Sequence, residues 1–349
     1  MEAGRRSGVN REVNKRMWNV LLKINRHLVL AIPVMMILGF LFGMGMENTL
    51  VLGLKRLIMP LTFLMVYPMM VGLNINHLLE GVKNIRLQVA TQSINFLIIP
   101  FLAYELGVFF FADQPYMALG LLLASLLPTS GMTISWTGFA KGNMGAAINM
   151  TIIGLTLGSI ATPFYVQILL GEKVDVNMLL VFSQIFYIVF LPMALGYITR
   201  LLLLKKYNPT EFKKDITPRF PALSTIGVLG IVFVALALKA KTIAADPAVL
   251  RNIITPLFIL YSLNFLIGTI TGKLFFHRGD AIALVYGTVM RNLSIALAIA
   301  LNVFETNGAD AALIIAVSYI IQVQTAAWYV KLSDILFGLP EMSGAQPLC

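Results

Sequence analysis

Residues 117–140 read MALGLLLASLLPTSGMTISWTGFA. The run is long and apolar enough to cross a bilayer, which takes about 20 such residues. Yet Pro128, Gly131 and the hydroxyls of Thr129, Ser130 and Thr133 stand at its middle. In lipid every peptide group must find an internal partner, so an interrupted backbone at that depth is tolerated only where it lines a protein cavity. Residues 280–304, DAIALVYGTVMRNLSIALAIALNVF, have the same character, with Gly287, Arg291, Asn292 and Ser294 midway along an apolar run. Two interruptions at matching places point to one shared cavity. For Pro128 alone the alternative is a packing kink, with Ser and Thr bonded back onto their own helix.

Outward from these two stretches, the rest of the chain is of the same kind. Of 349 residues, 58% are hydrophobic and 12% charged, and the mean hydropathy is +0.84; charged residues in a water-soluble domain run near a quarter. Lipid is therefore the solvent. Further spans are read at 27–46, 54–73, 87–110, 144–170, 178–198, 220–238, 253–275 and 311–329, which makes ten with the two interrupted ones. The expected fold is an all-α membrane protein.

A net charge of +10 raises nucleic acid as a partner until the basic residues are placed. They fall in loops. Arg5, Arg6, Arg11, Lys15, Arg16, Lys23 and Arg26 crowd the N-terminal arm, and Arg200, Lys205, Lys206, Lys213, Lys214 and Arg219 the middle loop. Lys83, Arg86, Lys141, Lys273, Arg278 and Lys331 share that side, against Lys55, Arg56, Lys173, Lys239, Lys241 and Arg251 on the other. By the positive-inside rule both termini are cytoplasmic in a multi-pass protein of the cell membrane. Nucleic acid drops out as a partner and the bilayer stays; a small-molecule solute and a coupling ion, sodium or proton, are expected only if the chain is a transporter.

The polar seam at 205–219, with Pro209 and Pro218, divides the spans into two groups of five. Because five is odd, two related groups must enter the membrane from opposite sides, the inverted-repeat plan of many secondary transporters, with the fourth span of each group interrupted. The chain thus divides into a basic arm (1–26), the first five-helix repeat with the start of the second (27–204), a cytoplasmic loop (205–219), the rest of the second repeat (220–332) and a cytoplasmic tail (333–349). The hydrophobic stretch behind the arm is long and lacks a small-residue cleavage signature, so it reads as a retained first helix. Trp18, Leu21, Leu22 and Ile24 suggest a short amphipathic helix on the inner leaflet, or else a charged tail.

Catalysis has little to work with. His27, His77 and His277 lie at span ends or in loops, no paired carboxylates occur, and the single cysteine is Cys349. No catalytic residue, cofactor or metal site is expected. Arg291 carries the strongest signal, since an arginine at a helix centre costs about 2.5–3.5 kcal/mol on insertion scales and normally marks a solute or ion pathway. Its span offers no carboxylate nearby, and Glu105 stands near the outer end of its own. Either an anionic solute neutralises the guanidinium, or it pins the crossing of the broken helices through carbonyls and helix C-termini. A fixed cation there also repels sodium. Asn95, Asn149, Thr151, Thr156, Asn264, Ser318, Gln322, Gln324 and Thr325 are each either an oxygen ligand for an ion or an interhelical hydrogen bond.

With these residues in view, the chain from about His27 to Leu332 resembles the bile-acid/sodium symporter and arsenite-permease superfamily. The resemblance rests on Met59-Pro60-Leu61 through Pro68-Met69, Asn95-Phe96-Leu97-Ile98-Ile99-Pro100, Trp136-Thr137-Gly138-Phe139-Ala140-Lys141-Gly142-Asn143 and Met290-Arg291-Asn292. It implies ten helices in two inverted repeats, crossed and broken fourth and ninth helices, panel and core groups, and alternating access. The Trp136–Gly142 and Arg291-Asn292 pieces look more like the arsenite-efflux branch. There the arsenite-permease cysteine is matched by Thr129, and the carboxylate after the Arg-Asn pair by Ser294, which removes a thiol relay. On the sodium-symporter side, the glutamate and glutamine of the ninth-helix ion site fall on Gly287 and Arg291, and the fourth-helix asparagine on Ile134.

The resemblance therefore implies a secondary transporter of a small oxyanion-like or organic anion solute, with arsenite efflux favoured. A cation-coupled organic acid symporter is the alternative, and a passive channel or structural membrane subunit the alternative of another class. The expected substrate set is Arg291, Asn292, Ser294, Thr129, Ser130 and Thr133. Thr133, Thr151, Asn95 and Gln322 are the expected ion ligands, and Pro128, Gly131 and Gly287 the helix breaks.

Overall fold

A computed structural model of the chain describes residues 17, 18, 20–24, 27–72, 84–172, 174, 178–208, 212, 216–245, 247–304 and 307–339. Cys349, His77, most of the basic arm and residues 340–349 of the tail lie outside the described residues. The described residues form helices and no strand: α1 (Leu28–Gly45), α2 (Thr49–Val71), α3 (Ile85–Phe110), α4 (Pro115–Leu126), α5 (Gly131–Phe139), α6 (Met144–Leu170), α7 (Leu179–Lys206), α8 (Arg219–Ala245), α9 (Ala248–Phe275), α10 (Arg278–Val289), α11 (Leu293–Val303) and α12 (Gly308–Phe337). Seven of them, α2, α3, α6, α7, α8, α9 and α12, have the length and apolarity to cross a membrane. The apolar runs at 117–140 and 280–304 are each split in two, into α4 with α5 and α10 with α11.

Several helices run past the spans expected from the sequence. The second span was expected to begin at 54, but Lys55 and Arg56 lie in a 3-10 turn inside it. The seventh was expected to end at 238, yet α8 continues to Ala245. Lys239 stays in the helix because its ammonium meets the Asp310 carboxylate at 2.6 Å, in the first turn of α12. A lysine stem can lie along apolar surface while its head finds a polar partner.

Two compact units divide the chain: one holds Met1–Asn74, Asn177–Ala248 and Leu297–Ala316, the other Ile75–Val176, Val249–Ala296 and Val317–Cys349. In the first, α8 packs on α1 and α2, and α7 on α2. Small residues allow the approach, as expected where lipid supplies no hydrophobic drive between helices and close backbone contact must do so. A side chain at Gly43 would collide with Ala240 of α8, and a Cβ at Gly196 of α7 would stand 2.8 Å from the Met70 Cβ. Polar bonds add register: Tyr67 and Thr199 share a hydroxyl hydrogen bond of 2.8 Å, and the Ser224 hydroxyl donates to the Met65 carbonyl.

In the second unit, α6 packs against α4, α5 and α10, and α3 against α4 and α10. The third helix contains a π-turn at Ile94–Ile98, followed by Pro100. Proline has no N–H, so the Phe96 carbonyl four residues back loses its helical donor. The Tyr165 hydroxyl of α6 donates to that carbonyl at 2.5 Å. Tyr165→Phe is therefore expected to leave the carbonyl unpaired in a low-dielectric setting and to destabilise the protein by about 1–3 kcal/mol; thermal unfolding in detergent measures it, and an unchanged melting temperature would show the bond to be idle.

One end of this unit is closed by ionic and capping bonds. Asn84 and Asn143 cap α3 and α6 through their side-chain oxygens, and both amide nitrogens donate to Asp280, in the first turn of α10, at 2.7 Å. Arg278 donates to the Lys141, Ala140 and Gly338 carbonyls and pairs with Asp334 at 2.5 Å. An aspartate at a helix start is also favoured by the helix dipole. Asp280→Ala removes the acceptor shared by two caps and is expected to cost about 1–2 kcal/mol, since the site is partly wet, read as a lower melting temperature.

Candidate functional site

The two breaks meet. Pro128 and Arg291 form an antiparallel bridge in which Thr129 N–H donates to the Met290 carbonyl at 2.7 Å and Asn292 N–H to the Leu127 carbonyl at 2.8 Å. The chain between α4 and α5 and the chain between α10 and α11 thus satisfy each other's peptide groups, which lipid could not do.

The rest of the first break is satisfied locally. Thr129 has φ 66°, a left-handed conformation that a β-branched residue seldom takes. Its hydroxyl lies 2.6 Å from the Pro128 carbonyl, 3.2 Å from that of Thr151 and 3.3 Å from that of Met150. Glycines of α6 make room: a Cβ on Gly154 would stand 2.9 Å from the Thr129 hydroxyl, and one on Gly158 2.8 Å from the Pro128 ring. Ser130 caps α5, accepting from Met132 N–H at 3.2 Å, while its own N–H donates to the Thr133 hydroxyl at 3.1 Å. This reciprocal arrangement is a capping box.

In the second break Gln322 of α12 does the equivalent work. Its carbonyl oxygen accepts from Arg291 N–H at 2.8 Å and from the Tyr261 hydroxyl at 3.1 Å, and its amide donates to the Arg291 carbonyl at 3.2 Å. Asn292 caps α11, its side-chain oxygen accepting from Ile295 N–H at 3.2 Å. Two further asparagines serve the end of α10: Asn95 donates to the Gly287 carbonyl at 3.0 Å and Asn264 to that of Thr288 at 2.9 Å. The carbonyls of Leu127, Pro128, Gly287, Thr288, Met290 and Arg291 therefore all have donors, and none of those donors is the Arg291 guanidinium.

That guanidinium is the outlier. Arg291 is 3% exposed, and its Nε and both terminal nitrogens have no hydrogen-bond acceptor among the described residues. The Asn292 side-chain nitrogen, on a residue 2% exposed, is likewise unmatched. Carboxylates stand elsewhere: Asp280 and Asp334 are engaged at the closed end, Asp310 pairs with Lys239, and Glu105 is exposed on α3. An unpaired buried charge costs several kcal/mol, so a group of this kind marks a function more often than a fold.

The structure sorts the expected residues. Pro128 lies in the first break and Gly131 is the first residue of α5, but Gly287 is inside α10 and not at its break. Its small size has another use, since a Cβ there would come 2.6 Å from the Met150 sulfur. Arg291 and Asn292 keep donors to offer. Thr129, Ser130 and Thr133 serve the chain reversal, and Ser294 shares a 2.5 Å hydrogen bond with the Tyr319 hydroxyl. Of the expected ion ligands, Gln322 has both amide atoms committed to the break, Thr133 accepts from Ser130 N–H, and the Thr151 hydroxyl donates to the Ala147 carbonyl at 2.8 Å. Asn95 alone of the four keeps an unmatched oxygen. Tyr261 and Tyr319 were not anticipated, and nothing in the sequence separates these two tyrosines from others within spans.

The sequence profile of the Sodium Bile acid symporter family matches residues 59–246. Arsenical-resistance protein Acr3 of Alkaliphilus metalliredigens is 26% identical over 212 residues, which cover 57% of this chain and 59% of that protein. Arsenical-resistance protein Acr3 of Corynebacterium glutamicum is 22% identical over 304 residues, 80% of this chain and 82% of the relative. Sodium/bile acid cotransporter 7 of Danio rerio is 24% identical over 192 residues, 52% of this chain and 54% of the relative. With its profile matched over more than half the chain and its apolar helices of membrane-spanning length, this protein belongs to the Sodium Bile acid symporter family, a family of membrane transporters and not of enzymes.

Proposed function

We propose that the protein is a secondary transporter of a small oxyanion-like or organic anion, held through Arg291 and Asn292 where the two helix breaks cross. The observation that carries this reading is that the unmatched atoms at the crossing on these two residues are all hydrogen-bond donors, three of them on a buried cation. Planar guanidinium recognises carboxylate and other oxyanions through paired N–H bonds. The competing role for Arg291, pinning the crossing, loses its support because the break carbonyls already have donors.

The architecture that goes with this reading is ten spans in two inverted five-span repeats, both termini cytoplasmic, working by alternating access. The first, second, sixth and seventh spans form the panel group, and the spans with the breaks form the core group. Three shorter apolar helices, Leu30–Gly45, Pro115–Leu126 and Leu293–Val303, supplement the seven long ones, and the break in each interrupted run speaks against the continuous helices of a passive channel.

Arsenite efflux is the second reading, favoured by the similarity to two proteins named for arsenical resistance. Neutral arsenous acid brings three O–H donors of its own and no charge, so donors alone fit it less well than they fit an anion. Sodium coupling would draw on Thr133, Thr151, Asn95 and Gln322, of which the Asn95 oxygen is the best placed. Thermal stabilisation of the purified protein by arsenite, pyruvate, acetate and taurocholate, with and without sodium, separates these readings, because a ligand of the folded state raises its stability by mass action. Stabilisation by a carboxylate and not by arsenite is the expected result; stabilisation by arsenite alone would replace the first reading by the second.

A further inference from the structure

Resting on that reading of the site, we propose that the transporter is an obligatory anion exchanger: the carrier crosses between its two orientations only while an anion sits on Arg291. Alternating access requires a stage in which the site is closed to water on both sides. At that stage the guanidinium is dehydrated, and its compensation must come from the protein or from the cargo.

The described residues supply no hydrogen-bond acceptor to the guanidinium. Arg291 is 3% exposed, with no acceptor for any of its guanidinium nitrogens among the described residues. Gln322 of α12, which bonds the Arg291 backbone, has its oxygen occupied by Arg291 N–H and the Tyr261 hydroxyl and its nitrogen by the Arg291 carbonyl. The break carbonyls are held by Thr129, Asn95, Asn264 and Asn292. Asp280 and Asp334 are engaged in their own bonds at the closed end of the unit, so no described carboxylate stands ready to take the cargo's place.

The cargo therefore acts as the missing counter-charge. Loaded with a monoanion, the crossing is neutral; empty, it carries one positive charge through a dehydrated stage, and the insertion cost of a central arginine corresponds to a rate penalty of about a hundredfold. Inward movement of one anion is then tied to outward movement of another, and exchange of like anions moves no net charge.

Proteoliposomes of the full chain test this. Acetate, pyruvate and phosphate are first compared by thermal stabilisation, and the anion with the largest effect is loaded as labelled cargo. Efflux is expected to be about a hundredfold faster into buffer holding the same unlabelled anion than into buffer without it, and insensitive to a valinomycin-set potential. Arg291→Lys should keep the dependence on external anion at lower affinity. Equal efflux with and without external anion overturns exchange while leaving the site reading intact, as does a sodium gradient that drives accumulation with no anion inside. Stabilisation by none of the three anions, or stabilisation undiminished in Arg291→Gln, overturns the site reading and exchange together.

Discussion

Arg291→Gln is expected to lower anion transport by about a hundredfold while leaving the melting temperature of the ligand-free protein unchanged or raised. The two halves of this result have one cause. The guanidinium satisfies no carbonyl and pairs with no carboxylate among the described residues, so the fold loses nothing when it goes. Its burial at 3% exposure is unfavourable until an anion arrives. Glutamine retains a donor but no charge, and the loss of a charge-assisted bidentate contact appears in binding and not in folding. Transport assays in proteoliposomes and a melting curve on the same preparation read both. A large fall in melting temperature with transport intact would make Arg291 a structural residue.

Gln322→Leu should give the opposite pattern, a protein destabilised by about 2–4 kcal/mol. Leucine occupies a similar volume, so no cavity explains the loss. It strips the acceptor from the Arg291 N–H and the donor from the Arg291 carbonyl, both buried, and removes one of the partners of the Tyr261 hydroxyl, which also bonds Ser318. Buried polar groups left without partners carry the full desolvation penalty, and here two of them belong to non-helical backbone within an apolar span. Urea or thermal unfolding measures the effect; stability equal to the parent protein would mean that other groups satisfy the break. The pair of variants, side by side, separates a role in binding solute from a role in holding the chain.

Much of this was legible in the sequence. Apolar runs of the right length identified the membrane protein, and Pro128 with Thr129, Ser130 and Gly131 located one break to the residue. The second break was located only to a neighbourhood. Gly287 looked like its centre because glycine breaks helices in water, but in a membrane bundle glycine as often permits close contact, and here it faces Met150. The end of α10 instead lies at Met290 and Arg291, where Gln322 and the facing chain take over the peptide groups.

That the chain is a helical, multi-pass membrane protein follows from the sequence alone, because hydropathy is a local property summed along the chain. An intramembrane arginine is likewise visible to anyone counting charges. Its meaning is not. Whether Arg291 braces the crossing or waits for a solute depends on who satisfies the carbonyls of Leu127, Met290 and Gly287, and those donors come from Asn292, Thr129 and Asn95, on other stretches of the chain. Hydrogen-bond bookkeeping is settled only when distant segments meet, so only the tertiary structure shows that the break carbonyls have donors other than the guanidinium, which is the observation the proposed anion site rests on.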